Sequence, residues 1–277
     1  MEDKKIIIII AAHKKYRMPE DPIYLPLHVG AEGKKDTAGN ELDLGYVKDN
    51  TGEEISLRNP NFCELTGLYW AWKNLGADYL GLVHYRRYFS YQRKSQDPFD
   101  NILTGEQAAE LLSRYKVLVP QKRKYYIETL YSHYDHTHFR EHLDATREII
   151  SRQCPEYLDS FDKVMKQRWG YMFNMMVMPY EFIGEYCTWL FGILFELEEL
   201  VKEKGLDDCS PYQARLYGRV SEIIFNVWLQ QKQKQGMIKS EEIKELPCIY
   251  MEKINWGNKI FSFLKAKFLH KKYSGSF

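Results

Sequence analysis

A strand with no polar position ends abruptly in charged and aromatic donors at Tyr79 to Phe89, YLGLVHYRRYF. Tyr79, Leu80, Gly81, Leu82 and Val83 suit a strand buried on both faces, the condition of a strand inside an open α/β sheet. His84, Arg86 and Arg87 then stand at its carboxyl end, where sheets of that kind bind ligands. Planar guanidinium groups match phosphate oxygens two at a time, which an ammonium group cannot do. The pattern reads as a site for a nucleotide-sugar. The plainer reading, for an arginine pair taken alone, is a strand leaving into a solvated basic loop.

The residues just upstream favour the first reading. Asn59-Pro60 opens a helix with a side-chain cap and a proline at the first helical position. Phe62, Leu65, Leu68, Trp72 and Leu75 recur at three- and four-residue spacing along one face, and Gly76 stops the helix. Glu64 lies in the first turn, where the helix dipole favours a carboxylate; capping alone would explain it, and a role in the site is the minority reading.

Ile6 to Ala12 reads as a first strand, leading into a polar loop that begins at His13. Residues 17–58 are rich in Gly, Pro, Asp and Asn and read as a long loop, a feature usually functional or mobile. Within it Asp36, Asp43, Asp49, Asn50 and Ser56 offer acceptors and hydroxyls for a ribose or a base, or else simply form turns. Thr104 to Gln107 reads as a capping box for a helix to about Arg114, followed by a strand from Tyr115 to Val119. Helices are expected over His138 to Arg152, Glu156 to Trp169, Glu181 to Lys204 and Tyr212 to Lys232, with a strand over Tyr171 to Met178. Strands alternating with helices give an α/β sheet with a helical C-terminal region.

Composition excludes several classes. A net charge of +1 argues against a general nucleic-acid binder. Five scattered cysteines without a CxxC pair suit free thiols in a reducing compartment. The apolar runs at 6–12 and 186–195 are too short for a signal h-region with its cleavage site or for a bilayer span, so a cytoplasmic protein is expected. From Met251 to Phe277 six lysines face one acid, interleaved with Ile260, Phe261, Phe263, Leu264, Phe268 and Leu269. That suits a basic amphipathic helix on the inner face of an anionic membrane, or equally a terminal helix packed on the domain. The expected division is a domain over 1–235 and a basic amphipathic extension over 236–277.

The stretches ELTGLYWAWKN and GLVHYRRYF together resemble the hallmark of a family of glycosyltransferases of bacterial capsule and exopolysaccharide biosynthesis. The resemblance runs to about residue 230. It takes in Ile55-Ser56 behind an acidic, Asn-bearing loop, Tyr134 with His138, Pro155 to Tyr157, FNMMVM at Phe173 to Met178, the helix of Tyr186 to Phe191, and Arg215 to Glu222. It implies a GT-A-like nucleotide-binding mixed sheet flanked by helices. The implied activity is transfer of a hexosyl group from a UDP-sugar, galactofuranose in some members, to a lipid-linked saccharide acceptor. A non-catalytic nucleotide- or saccharide-binding component of the same assembly is the alternative.

GT-A enzymes hold a divalent metal with Asp-x-Asp at the end of the corresponding strand. This chain has His84-Tyr85-Arg86-Arg87 there, and a guanidinium offers a metal no lone pair. The resemblance therefore implies arginine counter-charges in place of a required cofactor, with Mn²⁺ or Mg²⁺ held elsewhere left open. His13, Asp49, Asn50, Ser56, Asn59, Glu64, His84, Tyr85, Arg86 and Arg87 are the expected donor-binding residues. Glu222 is the expected base for the acceptor hydroxyl, on a face shared with Arg215 and Arg219 that otherwise reads as a salt-bridge ladder. His138 is the second catalytic candidate. With His142 it has the four-residue spacing of zinc ligands, but no third ligand follows. Trp169 and Tyr171 are placed as acceptor-stacking rings, with core packing the safer reading of both.

Overall fold

In the computed structural model, which describes residues 4–91, 95–206 and 210–252, the first strands belong to one mixed sheet. Strands β1 (Ile6–Ala12), β2 (Tyr24–His28), β3 (Val47–Lys48), β4 (Tyr79–His84), β5 (Arg87–Phe89) and β6 (Val117–Pro120) succeed one another. Helices α1 (Asn59–Phe62) and α2 (Leu65–Asn74) separate β3 from β4, and α3 (Gly105–Leu112) precedes β6. Next come β7 (Arg123–Lys124), α4 (Leu130–Thr137), α5 (Glu141–Gln153), α6 (Leu158–Met165) and β8 (Trp169–Gly170). The described chain ends with β9 (Met176–Pro179), α7 (Tyr180–Glu203), α8 (Leu216–Lys234), β10 (Ile243–Leu246) and β11 (Cys248–Tyr250).

These elements divide into two units. The first takes the chain through residue 121, then 173–187 and 238–252; the second takes 122–172 and 188–237. The expected boundary after 235 differs from this division, because β10 and β11 join the first unit's sheet. The tail helix expected from Met251 lies outside the described residues beyond Glu252.

The first unit's sheet runs β10-β6-β9-β4-β1-β2-β3, with β5 on β4 and β11 on β5. Its strands are parallel except β9, antiparallel to both β4 and β6, and the antiparallel β4-β5 and β5-β11 pairs. This is the expected GT-A-like mixed α/β sheet. Both central strands are as apolar as their position demands: six of the seven β1 residues and the first five of β4 are buried. Ile8, Ile10, Val83, Tyr88, Phe89, Leu103, Leu118 and Val177 share one core cluster.

Where expectation and structure differ, a specific interaction decides. The loop expected over 17–58 contains β2, whose Pro26 argues against a strand. Pro26 is tolerated because β3 pairs only Leu27 and His28, leaving that position a single neighbouring strand. The helix expected from Asn59 to Gly76 is broken at Cys63, which has φ 55°. There Asn59 is no cap: its Nδ2 donates to the Cys63 carbonyl (2.8 Å) and to Thr66 Oγ1 (3.1 Å), local bonds that compete with a continuous helix. The strand expected over 171–178 is likewise interrupted, Phe173 and Asn174 having φ 75° and 51°. The capping box at Thr104 and Gln107 is present as expected; a second, at Thr129 and Ser132, opens α4, which the sequence did not announce.

The second unit is helical, with β7 and β8 paired antiparallel. Helix α6 packs on α8, and Ser160 Oγ donates to Gln231 Oε1 (2.7 Å) within that buried contact. Asn226 of α8 clasps the backbone after β8, accepting from Tyr171 N–H (2.8 Å) and donating to Tyr171 O (3.0 Å). Among the described residues no helix is long and apolar enough to cross a membrane.

Gly81 marks the tightest approach in the sheet. A Cβ there would stand 2.7 Å from Val177 Cγ2 and 2.8 Å from the Met176 carbonyl oxygen. The carbonyl belongs to a paired strand and cannot give way. Gly81→Ala is expected to cost about 1–3 kcal/mol of stability, read as a lower urea midpoint with unchanged slope; an unchanged midpoint would show that β9 moves freely.

Candidate functional site

The strand order reverses at β1: β2 leaves on one side and β4 returns on the other. Open α/β sheets bind ligands outside the carboxyl ends of their strands at such a point. Here the ends carry His13 after β1, His28 on β2, and His84 on β4.

Beyond His84 the chain makes a two-residue turn, Tyr85 and Arg86, and re-enters the sheet as β5 with Arg87 opposite His84. The arginines therefore sit on a hairpin rather than a loose loop. Tyr85 is buried and stacks on Tyr16 (centroids 4.1 Å apart), meets His13 edge-on (5.2 Å) and lies under the Arg86 guanidinium (5.0 Å). Burial, then the hydrogen bond with Tyr16, push its phenol well above the ordinary range. Arg86 pairs with Glu252 at 3.1 Å, both side chains about half exposed, so the pair is worth at most about 1 kcal/mol and is readily exchanged. Arg87 lies over the Phe173 ring (4.3 Å) and the Tyr250 ring (5.6 Å), and its buried Nε has no hydrogen-bond partner.

Phe173 and Asn174, both left-handed, grip this cluster from one side. Phe173 stacks on Arg87, and its carbonyl accepts from His84 Nε2–H at 2.6 Å. Asn174 Nδ2 donates to Glu64 Oε1 at 2.7 Å, and the same oxygen lies 4.0 Å from His84 Nε2. Burial lowers the His84 pKa; the Glu64 carboxylate opposes the shift and the Arg87 charge adds to it. Glu64 precedes α2 in sequence and does not cap it. Asn174→Asp would set a carboxylate against Glu64 and is expected to cost about 1–3 kcal/mol, whereas Asn174→Gly, which keeps the left-handed turn, costs less; equal urea midpoints for the two variants would deny the contact any weight.

Asp49 does something other than reach outward. It is fully buried, and its two oxygens accept from Gly30 N–H (2.8 Å), Ala31 N–H (3.0 Å), Ser56 Oγ (2.5 Å) and Thr66 Oγ1 (2.7 Å). Ser56 Oγ in turn accepts from Glu32 N–H (3.1 Å). Together Asp49 and Ser56 hold the chain beyond β2, where Gly30 has φ 66° and a Cβ would strike Asn59 at 2.5 Å. Asn50 donates to Glu32 at the surface (3.0 Å). His28, which no sequence motif singles out, is buried at the end of β2 with its Nδ1 unpartnered in the structure. An isolated histidine after a short mixed run carries no periodic signal.

Glu222, His138, Trp169 and Tyr171 belong to the second unit. Glu222 is half-buried on α8, and its charge helps raise the buried Tyr125 phenol to about 12, burial being the larger cause. His138 ends α4 rather than sharing a helix with His142. Its Nδ1–H donates to Gln213 Oε1 (2.8 Å), and burial, then the Arg219 charge, lower its pKa far below the ordinary value. Trp169 meets Tyr171 edge-on at 5.7 Å, with Lys122 over the Trp169 ring (4.4 Å). Glu128, not singled out by sequence, is buried; Nδ1–H of His133 and of His136 each donate to it at 2.7 Å. Burial pushes its carboxyl up, but those two bonds and charges outweigh burial and hold it at about 2.

The first unit's cluster does not fit a divalent cation. Arg86 and Arg87 offer no lone pair, His84 spends Nε2–H on a carbonyl, and Glu64 is a single carboxylate. Among the described residues no group of three or more His, Cys, Asp or Glu side chains is arranged to hold a metal ion.

Sheet order and site together define an α/β protein with a glycosyltransferase-like fold. The chain belongs to the DUF4422 family, described as a domain of unknown function, whose profile matches residues 7–234. Among solved structures it is similar to the apo structure of the bifunctional glycosyltransferase WbbM, with 28% identity and a TM-score of 0.79. That likeness covers 90% of this chain and 46% of the other, so the chain spans about half its length. No curated protein matches the sequence.

Burial also predicts a pH response. His28, His84, His133 and His138 all have pKa values lowered from 6.5 chiefly by burial. Below about pH 6.5 the unfolded chain takes up protons that the fold refuses, so stability falls on acidification by up to about 1.4 kcal/mol per pH unit for each such histidine. Urea midpoints should drop between about pH 7 and about pH 5.5; a flat profile there would mean these rings are protonated in the fold.

Proposed function

We propose that this chain transfers a hexosyl group from a UDP-sugar, galactofuranose among the candidates, to a lipid-linked saccharide in capsule or exopolysaccharide synthesis. The observation that carries the reading is the placement of Arg86, Arg87 and His84 at the carboxyl edge where the strand order reverses. Family membership and the likeness to a bifunctional glycosyltransferase support it. In this reading the diphosphate takes the place of the Glu252 carboxylate on Arg86 and meets the donor edge of Arg87. Both guanidinium groups then oppose the charge that grows on the departing diphosphate. His13 and Tyr85 border the donor, while Asp49, Ser56 and Asn59 shape the chain beside it from behind. Trp169 and Tyr171 are assigned to the acceptor and Glu222, with His138 as second candidate, to its hydroxyl proton. The stretch 251–277, which beyond Glu252 lies outside the described residues, is assigned on its sequence to anionic lipid on the inner face of the cell membrane.

A thermal-shift series with UDP, GDP, CMP and their sugars, each with EDTA and with Mn²⁺, tests the donor site. UDP species are expected to stabilise the protein in both conditions, with binding about tenfold weaker in Arg87→Lys. Stabilisation by UDP only with Mn²⁺ would require ligands other than this cluster, and no nucleotide response would favour a saccharide-binding role without catalysis. Glu222→Gln should abolish turnover while leaving the UDP shift intact; full activity in that variant would remove the base assignment.

A further inference from the structure

In the second unit, the turn between β7 and α4 exposes what a protein ordinarily covers. Tyr126 and Ile127 are 75% and 65% exposed, adjacent, and at the tip of the turn. They are not frayed. Tyr126 is held in the left-handed region at φ 56°, and Ile127 N–H donates to the Tyr125 carbonyl at 2.6 Å, closing a tight turn. Arg168, beyond the paired strand β8, fixes the turn twice: its carbonyl accepts from Tyr125 N–H (2.8 Å) and its Nη1 donates to the Tyr126 carbonyl (3.1 Å). Behind the turn, Glu128 is locked inward by His133 and His136.

Charge is sorted around this tip. The turn's own acid, Glu128, is buried and clasped, while Lys124 at the end of β7 and Lys166 and Arg168 on the segment bonded to it are exposed. A rigid apolar tip with outward cations and an inward carboxylate matches the interface of an anionic bilayer. There a tyrosine ring sits at headgroup depth, an isoleucine reaches the acyl boundary, and each lysine or arginine gains from the surface potential.

We propose that the turn of residues 124–127 is a membrane-docking element, inserting Tyr126 and Ile127 into an anionic lipid surface with Lys124, Lys166 and Arg168 on the headgroups. The inference is independent of the donor reading, because vesicle binding is measured without turnover, and residues 251–277 are the same in wild type and variant, so a difference between them reports the turn alone.

The full chain is sedimented with vesicles of phosphatidylcholine containing phosphatidylglycerol, and with phosphatidylcholine alone. The wild-type chain is expected to partition onto the anionic vesicles, and the double variant Tyr126→Ser, Ile127→Ser to do so about tenfold less. Lys124→Glu should weaken binding to anionic vesicles and leave the neutral ones unchanged. Thermal melts of the variants, matching the wild type, show that the fold survives. Equal partition of wild type and double variant would overturn the proposal by placing any membrane contact elsewhere in the chain. So would failure of the wild type to bind anionic vesicles, or concentration-dependent self-association lost in the double variant, which would make the tip a protein interface.

Discussion

The pairing of β4 between β1 and β9 is the constraint from which the rest of the first unit follows. A strand buried on both faces and bonded on both edges cannot slip by one residue without reversing every side chain. The register Val83 to Ile10 and His84 to Ala11 therefore fixes where the chain leaves the sheet. From that point Tyr85 can reach Tyr16 and His13, and Arg87 can turn back as β5. Gly81 makes the antiparallel neighbour β9 possible at this spacing, and β9 brings Phe173 and Asn174 against the cluster.

Those two residues show how the site is held. Left-handed backbone at non-glycine residues costs on the order of 1–3 kcal/mol each. Here it is offset by a ring stacked on Arg87, a carbonyl on His84 and an amide on Glu64. Asp49 works by the opposite means, since its cost is desolvation and four donors meet it. The first device aims side chains at the sheet's edge; the second stiffens the backbone beside them.

The second unit separates its charges differently. Several of its buried polar groups close on one another, as Glu128 does with two histidines and Asn226 with Tyr171.

Much of this was legible in the sequence. The apolar runs of β1 and β4, the Thr104 capping box and the carboxyl-end position of His84, Arg86 and Arg87 follow from period, composition and turn chemistry, which act over a few residues. The residues that set the site's geometry were not legible in the same way. FNMM reads as strand, and only contact with Arg87, His84 and Glu64 makes a left-handed break in it worthwhile. Asp49 reads as a ligand-facing acid or as a turn former, and only the convergence of 30, 31, 56 and 66 turns it inward. Pro26 argues against a strand until β3 is seen to stop short of it. The chain alone thus determined which segments must be buried and where guanidinium groups stand along it, because hydrophobic period and helix punctuation are local. Tertiary structure alone decided which polar groups face inward and which backbone is strained, because those depend on partners up to 110 residues apart.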